Sequence, residues 1–259
     1  AIVEEFIYRL LPFIEGQFLA EVPKDDKLQR SFGTALARID KTLEGHVSAV
    51  ISAKETSWDL KHFTKNRQYL DAIPNTKDRN MVRYFFLQFH EHIIPIQHRF
   101  RKSVIHNDAN DWNILTTNGE VTGVIDFGDM CYSWLINELA IGLTYIMMGE
   151  EHPLAVATTV VTAYHAVLPL RKEELDALYY LIAARLCTSV CNSAHTKKQK
   201  PDSDYITISE QPAWNLLRKW LRINPILAQD EFRLACNFEE TEKHTLAHQL
   251  KRRSSNISS

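Results

Sequence analysis

His106-Asn107-Asp108-Ala109-Asn110-Asp111-Trp112-Asn113, followed after a short interval by Ile125-Asp126-Phe127-Gly128-Asp129, decides how this chain is read. The apolar run Ser103-Val104-Ile105 before it predicts a short strand, and the polar residues that follow predict a loop with Asp108 near its start and Asn113 at its end. Ile114-Leu115 and Val121-Thr122-Gly123-Val124-Ile125 flank Asn118-Gly119, a dipeptide that favours the positive φ angles of a tight hairpin turn. Such a hairpin folds Asp126 back beside Asn113. An amide and a carboxylate meeting there suit a hard cation such as Mg²⁺, which takes one or two protein oxygens and completes its shell with phosphates and water. Asp108, outside that pair, is left free to accept a proton from a hydroxyl. A proton acceptor beside a cation site is what phosphoryl transfer to an alcohol requires.

His-x-Asp-x-x-x-x-Asn followed by a strand ending in Asp-Phe-Gly is similar to the catalytic and metal-binding loops of the kinase superfamily. Protein kinases carry Arg after the His, whereas Asn107 stands here. The wording Val-Ile-His-Asn-Asp-Ala-Asn-Asp-Trp-Asn with Ile-Asp-Phe-Gly-Asp-Met instead resembles the aminoglycoside phosphotransferase family, in its hydroxylysine-kinase-like branch. That branch also occurs as the kinase part of longer bacterial polypeptides fused to a class III aminotransferase. Arg9-Leu10-Leu11-Pro12-Phe13 with Gly16, Trp58-Asp59-Leu60-Lys61, Arg185-Leu186-Cys187 and Ile208 to Trp214 match as well, so the resemblance reaches about Phe238.

The resemblance implies a protein-kinase-like fold of α+β class, mostly helical, in which this chain supplies the C-terminal lobe with a hinge strand and a small catalytic β-hairpin. Residues 1–16 would be the last N-lobe strand and the hinge, 17–238 the helical phosphotransferase lobe, and 239–259 a polar, disordered tail. It implies ATP and Mg²⁺ as cofactors, with Asp108 as catalytic base and Asn113 and Asp126 on the metal and phosphates. His106 either takes part in the chemistry or braces the loop through its ring. The hinge backbone around Leu11 and Phe13 would meet adenine. The Gly-rich cover and phosphate-binding Lys of similar kinases lie on an N-terminal lobe, and no strand of that pattern precedes Phe6. Weak or absent turnover by the chain alone is therefore expected, unless that lobe is supplied by a longer parent protein.

Family members phosphorylate hydroxyls on small amine-bearing molecules, so the implied partner is a hydroxylated amine or amino acid such as hydroxylysine. Asp129 would face its ammonium group or merely cap the following helix, with Glu138 and Asp204 as further acidic candidates. Asn137-Glu138 alternatively brace the catalytic loop. Arg185 is the candidate for a substrate carboxylate. A catalytically inactive kinase-like scaffold, binding a partner through apolar residues around Phe6, Ile7 and Phe13, is the alternative. A metal-dependent hydrolase built on His106, Asp108 and Asp126 is a weaker one, because it needs a second cluster of ligands.

Composition sets the outer bounds. The chain has 259 residues, 45% of them apolar, enough for one large or two small packed domains. A formal net charge of −2 offers no general attraction to nucleic acid or membrane. Cys131, Cys187, Cys191 and Cys236 lack paired metal-ligand spacing and read as buried free thiols, which fits a cytoplasmic protein. No basic, apolar leader opens the chain.

Periodicity predicts a largely helical body. Leu28, Phe32, Leu36, Ile39 and Leu43 place one helix from about Lys27 to the low fifties. Val82, Phe85, Phe86, Phe89, Ile93 and Ile96 place another across Asn80 to Arg101, kinked at Pro95. Further helices are expected over Leu135 to Met148, Leu154 to Val167 opened by Pro153, Lys172 to His195, Pro212 to Arg222 and Leu227 to Cys236, with a charged loop over Lys197 to Ser203. Trp58 and Asp59 read either as site residues or as core packing and a helix cap.

Overall fold

Two antiparallel ladders hold the motif loops in place. A computed structural model describes residues 11–46, 48–200 and 205–239 of the chain. In it, β1 (Gln17–Phe18) lies on one edge of β3 (Ile114–Thr117), and β4 (Glu120–Val124) pairs with the other edge, Val124 opposite Ile114. β2 (Lys102–Ile105) pairs separately with β5 (Cys131–Trp134), Ile105 opposite Cys131. The 106–113 loop therefore leaves β2 where the 125–130 loop enters β5, and it reaches β3 where that other loop leaves β4. Loops that share both ends must lie face to face, and this is why the two motifs meet. The hairpin turn forms as expected, with φ of 53° at Asn118 and 73° at Gly119. Strand β5 was not foreseen, since its four residues are too few for an alternating pattern and its partner is distant in sequence.

The helices pack around these ladders. α1 (Asp26–Leu43) is capped by Asp25, whose carboxylate accepts from Leu28 N at 2.8 Å, and it buries Leu28, Phe32 and Leu36 as its periodicity predicts. It stops short of the low fifties because Gly45 turns the chain at φ +79°, and α2 (Ala49–Ala53) restarts from a Ser48 cap. Leu60–Ala72 forms a 3₁₀ segment, with a kink at His62, capped by Asp59. α3 (Thr76–His92) starts from an Asn75 cap and ends before Pro95 instead of kinking there, since proline offers no N–H and disfavours helical backbone at Ile94.

α4 (Ile136–Ile146) and α5 (Pro153–Val167) fall where expected, the latter opened by proline. α1 approaches both unusually closely. A Cβ on Gly33 would sit 2.3 Å from the Val160 carbonyl oxygen, and one on Gly142 would sit 2.5 Å from Leu36 Cδ1. α6 (Lys172–Gln199) carries Lys197 inside a helix that was expected to end at His195. α7 (Tyr205–Leu221) begins ahead of Pro212, which lies inside it and not at its start, and α8 (Pro225–Ala235) follows an Asn224 cap. Fully buried Phe32, Phe63, Tyr164 and Trp220 lie in one continuous core. Each such side chain is worth about 1.5–3 kcal/mol. All four cysteines are free and buried, and burial pushes the Cys191 thiol up to about 12. Among the described residues no helix is long and apolar enough to cross a membrane. Residues 1–10 of the expected N-lobe strand and hinge, the tail beyond Glu239 and Asp204 lie outside the described residues, and Leu11 is in coil.

Candidate active site

Asp108 sits at the centre of the 106–113 loop with its side chain 22% exposed. Its Oδ2 accepts from Asn110 Nδ2 and Asn113 Nδ2, both at 2.9 Å, and Asn113 Nδ2 also donates to the Asp108 carbonyl at 2.9 Å. The Asn113 amide nitrogen is thus engaged, and its Oδ1 has no partner among the described residues. Ile125 N donates to the Asn113 carbonyl at 2.9 Å, which sets Asp126 next in line. Asp126 adopts the left-handed conformation, φ 60° and ψ 66°, which Asp tolerates better than most residues. Its carboxylate is exposed; Oδ1 accepts from Gly128 N at 3.2 Å and Oδ2 is unpartnered among the described residues. An amide oxygen and a carboxylate oxygen, both uncommitted and on neighbouring strand ends, form an all-oxygen donor pair that fits a hard divalent cation.

The loop is braced from below. His106 is fully buried; its Nε2 donates to the Ile125 carbonyl at 3.0 Å and its Nδ1 accepts from Asp108 N at 3.3 Å. Both ring nitrogens are engaged with the backbone, so the ring ties the two loops together and is not positioned to carry a substrate proton or to ligate a metal. Glu138, expected among the substrate-facing acids, is likewise fully buried and accepts from Asn107 N at 2.8 Å. Burial pushes its carboxyl up, while His106 and the Asn107 N–H pull it down. The correction has a simple cause: α4 is enclosed on every side, so its one acid in the first turn has no route to solvent. Asn107 itself takes φ 68°, a second left-handed non-glycine residue at the site. That asparagine, in the position where protein kinases carry Arg, was the local signal for a backbone anchor.

Arg185, Tyr145, Trp58, Asp129 and Lys54 surround Asp108 and its neighbours. Arg185 is 2% exposed; its Nη2 donates to Asp108 Oδ1 at 3.2 Å and to the Tyr145 hydroxyl at 3.0 Å. Its guanidinium lies 4.7 Å from the Trp58 ring centroid, which places Trp58 at the site, while Asp59 serves as a cap and accepts from Ser133 Oγ. Asp129, 48% exposed, faces Lys54 Nζ at 3.5 Å, and Lys54 also donates to the Gly128 carbonyl. Lys54 and Tyr145 were not singled out in the sequence. A lone lysine closing a short helix carries no local signal, but a tyrosine near the end of an apolar helix does, because its hydroxyl needs a partner.

Leu11 and Phe13 do not join this cluster. They are 77% and 90% exposed in the coil that precedes β1. β1 and the turn after it are tied to the loop by Phe18 against Trp112, 5.4 Å between centroids, and by Ala20 N donating to the Asp111 carbonyl at 3.0 Å.

A model of the phosphotransferase enzyme family known as APH matches residues 3–177. The chain belongs to this phosphotransferase family. Hydroxylysine kinase of Bos taurus is 29% identical over 230 residues, covering 84% of this chain and 61% of the relative, so the chain spans under two thirds of that relative's length. A choline/ethanolamine kinase family protein from Mesorhizobium loti superposes with a TM-score of 0.59 at 12% identity, over 87% of this chain and 72% of the other. An amicoumacin kinase solved with AMP-PNP and Ca²⁺ gives 0.55 at 15% identity, over 79% and 62%. Identities this low speak for the fold alone: this member of the phosphotransferase family has the α+β, mostly helical, protein-kinase-like architecture.

Proposed function

We propose that this chain is the catalytic part of an ATP-dependent small-molecule kinase acting on the hydroxyl of a small amine or hydroxy amino acid. Hydroxylysine is the acceptor favoured by the similarity to the bovine enzyme. The observation that carries this reading is the meeting of Asp108, Asn113 and Asp126 on two loops that share both ends. Asp108 takes the acceptor's proton as the acceptor oxygen bonds to the γ-phosphorus and the bond to the β–γ bridging oxygen breaks, releasing ADP. Asn113 Oδ1 and Asp126 would hold Mg²⁺, which when bound offsets the charge of the phosphates. The backbone near Leu11 and Phe13 would meet adenine, and Asp129 would turn from Lys54 to an acceptor ammonium. This reading places the protein in the cytoplasm, where ATP is supplied.

The remaining cover of the nucleotide is proposed to come from an N-terminal lobe, carried in a longer parent such as an aminotransferase fusion or added in trans. Turnover by the chain alone is accordingly expected to be weak. The test is ADP release across a panel of hydroxylated amines and hydroxy amino acids, with and without Mg²⁺, beside a nucleotide titration. Magnesium-dependent release that needs an acceptor supports the kinase. Nucleotide binding without any release favours a kinase-like scaffold instead, a reading that draws on the exposure of Leu11 and Phe13.

A further inference from the structure

Three arginines of this chain face a carboxylate from within or near the core, and one of them does so incompletely. Arg101 grips Glu174 through Nε at 2.9 Å and Nη2 at 2.7 Å, and Arg233 grips Asp176 through the same two nitrogens, both at 2.7 Å. That edge of the guanidinium is a fork matched to the two oxygens of a carboxylate. Arg185 uses only half of it. Nη2 reaches a single oxygen of Asp108 at 3.2 Å, while Nε is buried with no hydrogen-bond partner among the described residues. A buried, unpaired donor on a cation is costly, because the hydrogen bond it made to water is lost and not replaced. The second oxygen of Asp108 cannot relieve it, because it is held by Asn110 and Asn113.

We propose that Arg185 is the receptor for a carboxylate on the acceptor, so that the substrate is a hydroxy amino acid and not a simple amino alcohol. This rests on the kinase reading of the site. The incoming carboxylate takes both Nε and Nη2, and Asp108 Oδ1 is released to the acceptor hydroxyl. Trp58, stacked on the guanidinium and itself only half-buried, is the side chain that must yield to admit it. Arg185 is thereby a specificity-determining residue, and the carboxylate it selects also frees the base.

The test is calorimetric titration of the full chain with hydroxylysine and with its decarboxylated counterpart, which keeps the hydroxyl and both amines. Hydroxylysine is expected to bind at least about tenfold more tightly, a preference abolished in Arg185→Met and reduced in Arg185→Lys, which keeps the charge but not the fork. Should the variants fail to fold, the Nε–H resonance of Arg185 in nitrogen-labelled wild-type protein decides: it shifts with hydroxylysine and stays in place with the decarboxylated amine. Equal affinities, no binding of either compound, or an unmoved resonance overturns the proposal. Titration with Mg·ADP in parallel separates the two claims. Nucleotide binding without acceptor preference overturns the role of Arg185 alone, whereas acceptor preference without nucleotide binding overturns the kinase reading alone.

Discussion

In the 106–113 loop most polar groups are already engaged: His106 with two backbone groups, Asn107 N with Glu138, Asp108 with Arg185, Asn110 and Asn113. In the 126–129 loop, one strand pairing away, Asp126 is exposed with one oxygen free and Phe127 stands 46% exposed, with Lys54 on the Gly128 carbonyl, Asn107 Nδ2 on the Asp129 carbonyl and the His106 ring against Phe127. The first loop is preorganised by the fold; the second leaves the Asp126 carboxylate open to solvent. That division suits the proposed roles, Asp108 as a base that must be held still and Asp126 as part of a cation site completed when nucleotide arrives.

Mutation should separate the two loops. Asp126→Asn takes the charge from an exposed carboxylate while tolerating the left-handed backbone and keeping an oxygen for Gly128 N, so acceptor-dependent turnover is expected to fall by about 10³-fold while thermal stability is unchanged. A loss of stability equal to that of a core variant would mean that the loop is structural. Glu138→Ala should act on both properties at once. It strips the buried acceptor from Asn107 N, costing about 1–3 kcal/mol of stability and about 10- to 100-fold in turnover, with denaturation and rate measured on the same preparation.

The smallest effect concerns pH and lies beneath the preorganised loop. Asp40 is fully buried, and burial together with the neighbouring Glu138 pushes its carboxyl well above the ordinary value, against the hydrogen bond from Tyr164 and the field of Arg101. The unfolded chain loses this proton near pH 4 while the folded chain keeps it. The unfolded state is thereby favoured increasingly as pH rises from there to the folded value, and stability from this group is greatest at the acid end. Asp40→Asn removes the titration and keeps an acceptor for Tyr164. Its expected signature in denaturant unfolding is a shallower decline of stability above pH 4, relative to wild type, and an unchanged slope would contradict the assignment.

The difference between the loops also explains what could be read from the chain. Asp108, Asn113 and Asp126 were legible because their meeting depends on one local hairpin whose turn residues are written as Asn118-Gly119. The roles of Glu138 and Arg185 depend on tertiary neighbours: an acid in an apolar helix and an arginine in a long one look alike whether they face solvent, substrate or a loop backbone. Strand β5, which closes the second ladder, has no pattern of its own and exists because β2 presents an edge to it. At the ends of α1 and α3 the breakers Gly45 and Pro95 were in plain view, but apolar residues continuing beyond them made the periodicity appear longer than the helices. In each case backbone chemistry prevailed over side-chain pattern.

The most direct measurement compares wild type with Asp108→Asn in magnesium-dependent, acceptor-dependent ADP release, with nucleotide affinity measured alongside. Asparagine keeps the size of the side chain and an oxygen for Asn113, but it cannot take the acceptor's proton. Turnover reduced by about 10²–10⁴-fold at unchanged nucleotide affinity is the result this account predicts. Equal turnover in the two proteins would contradict it.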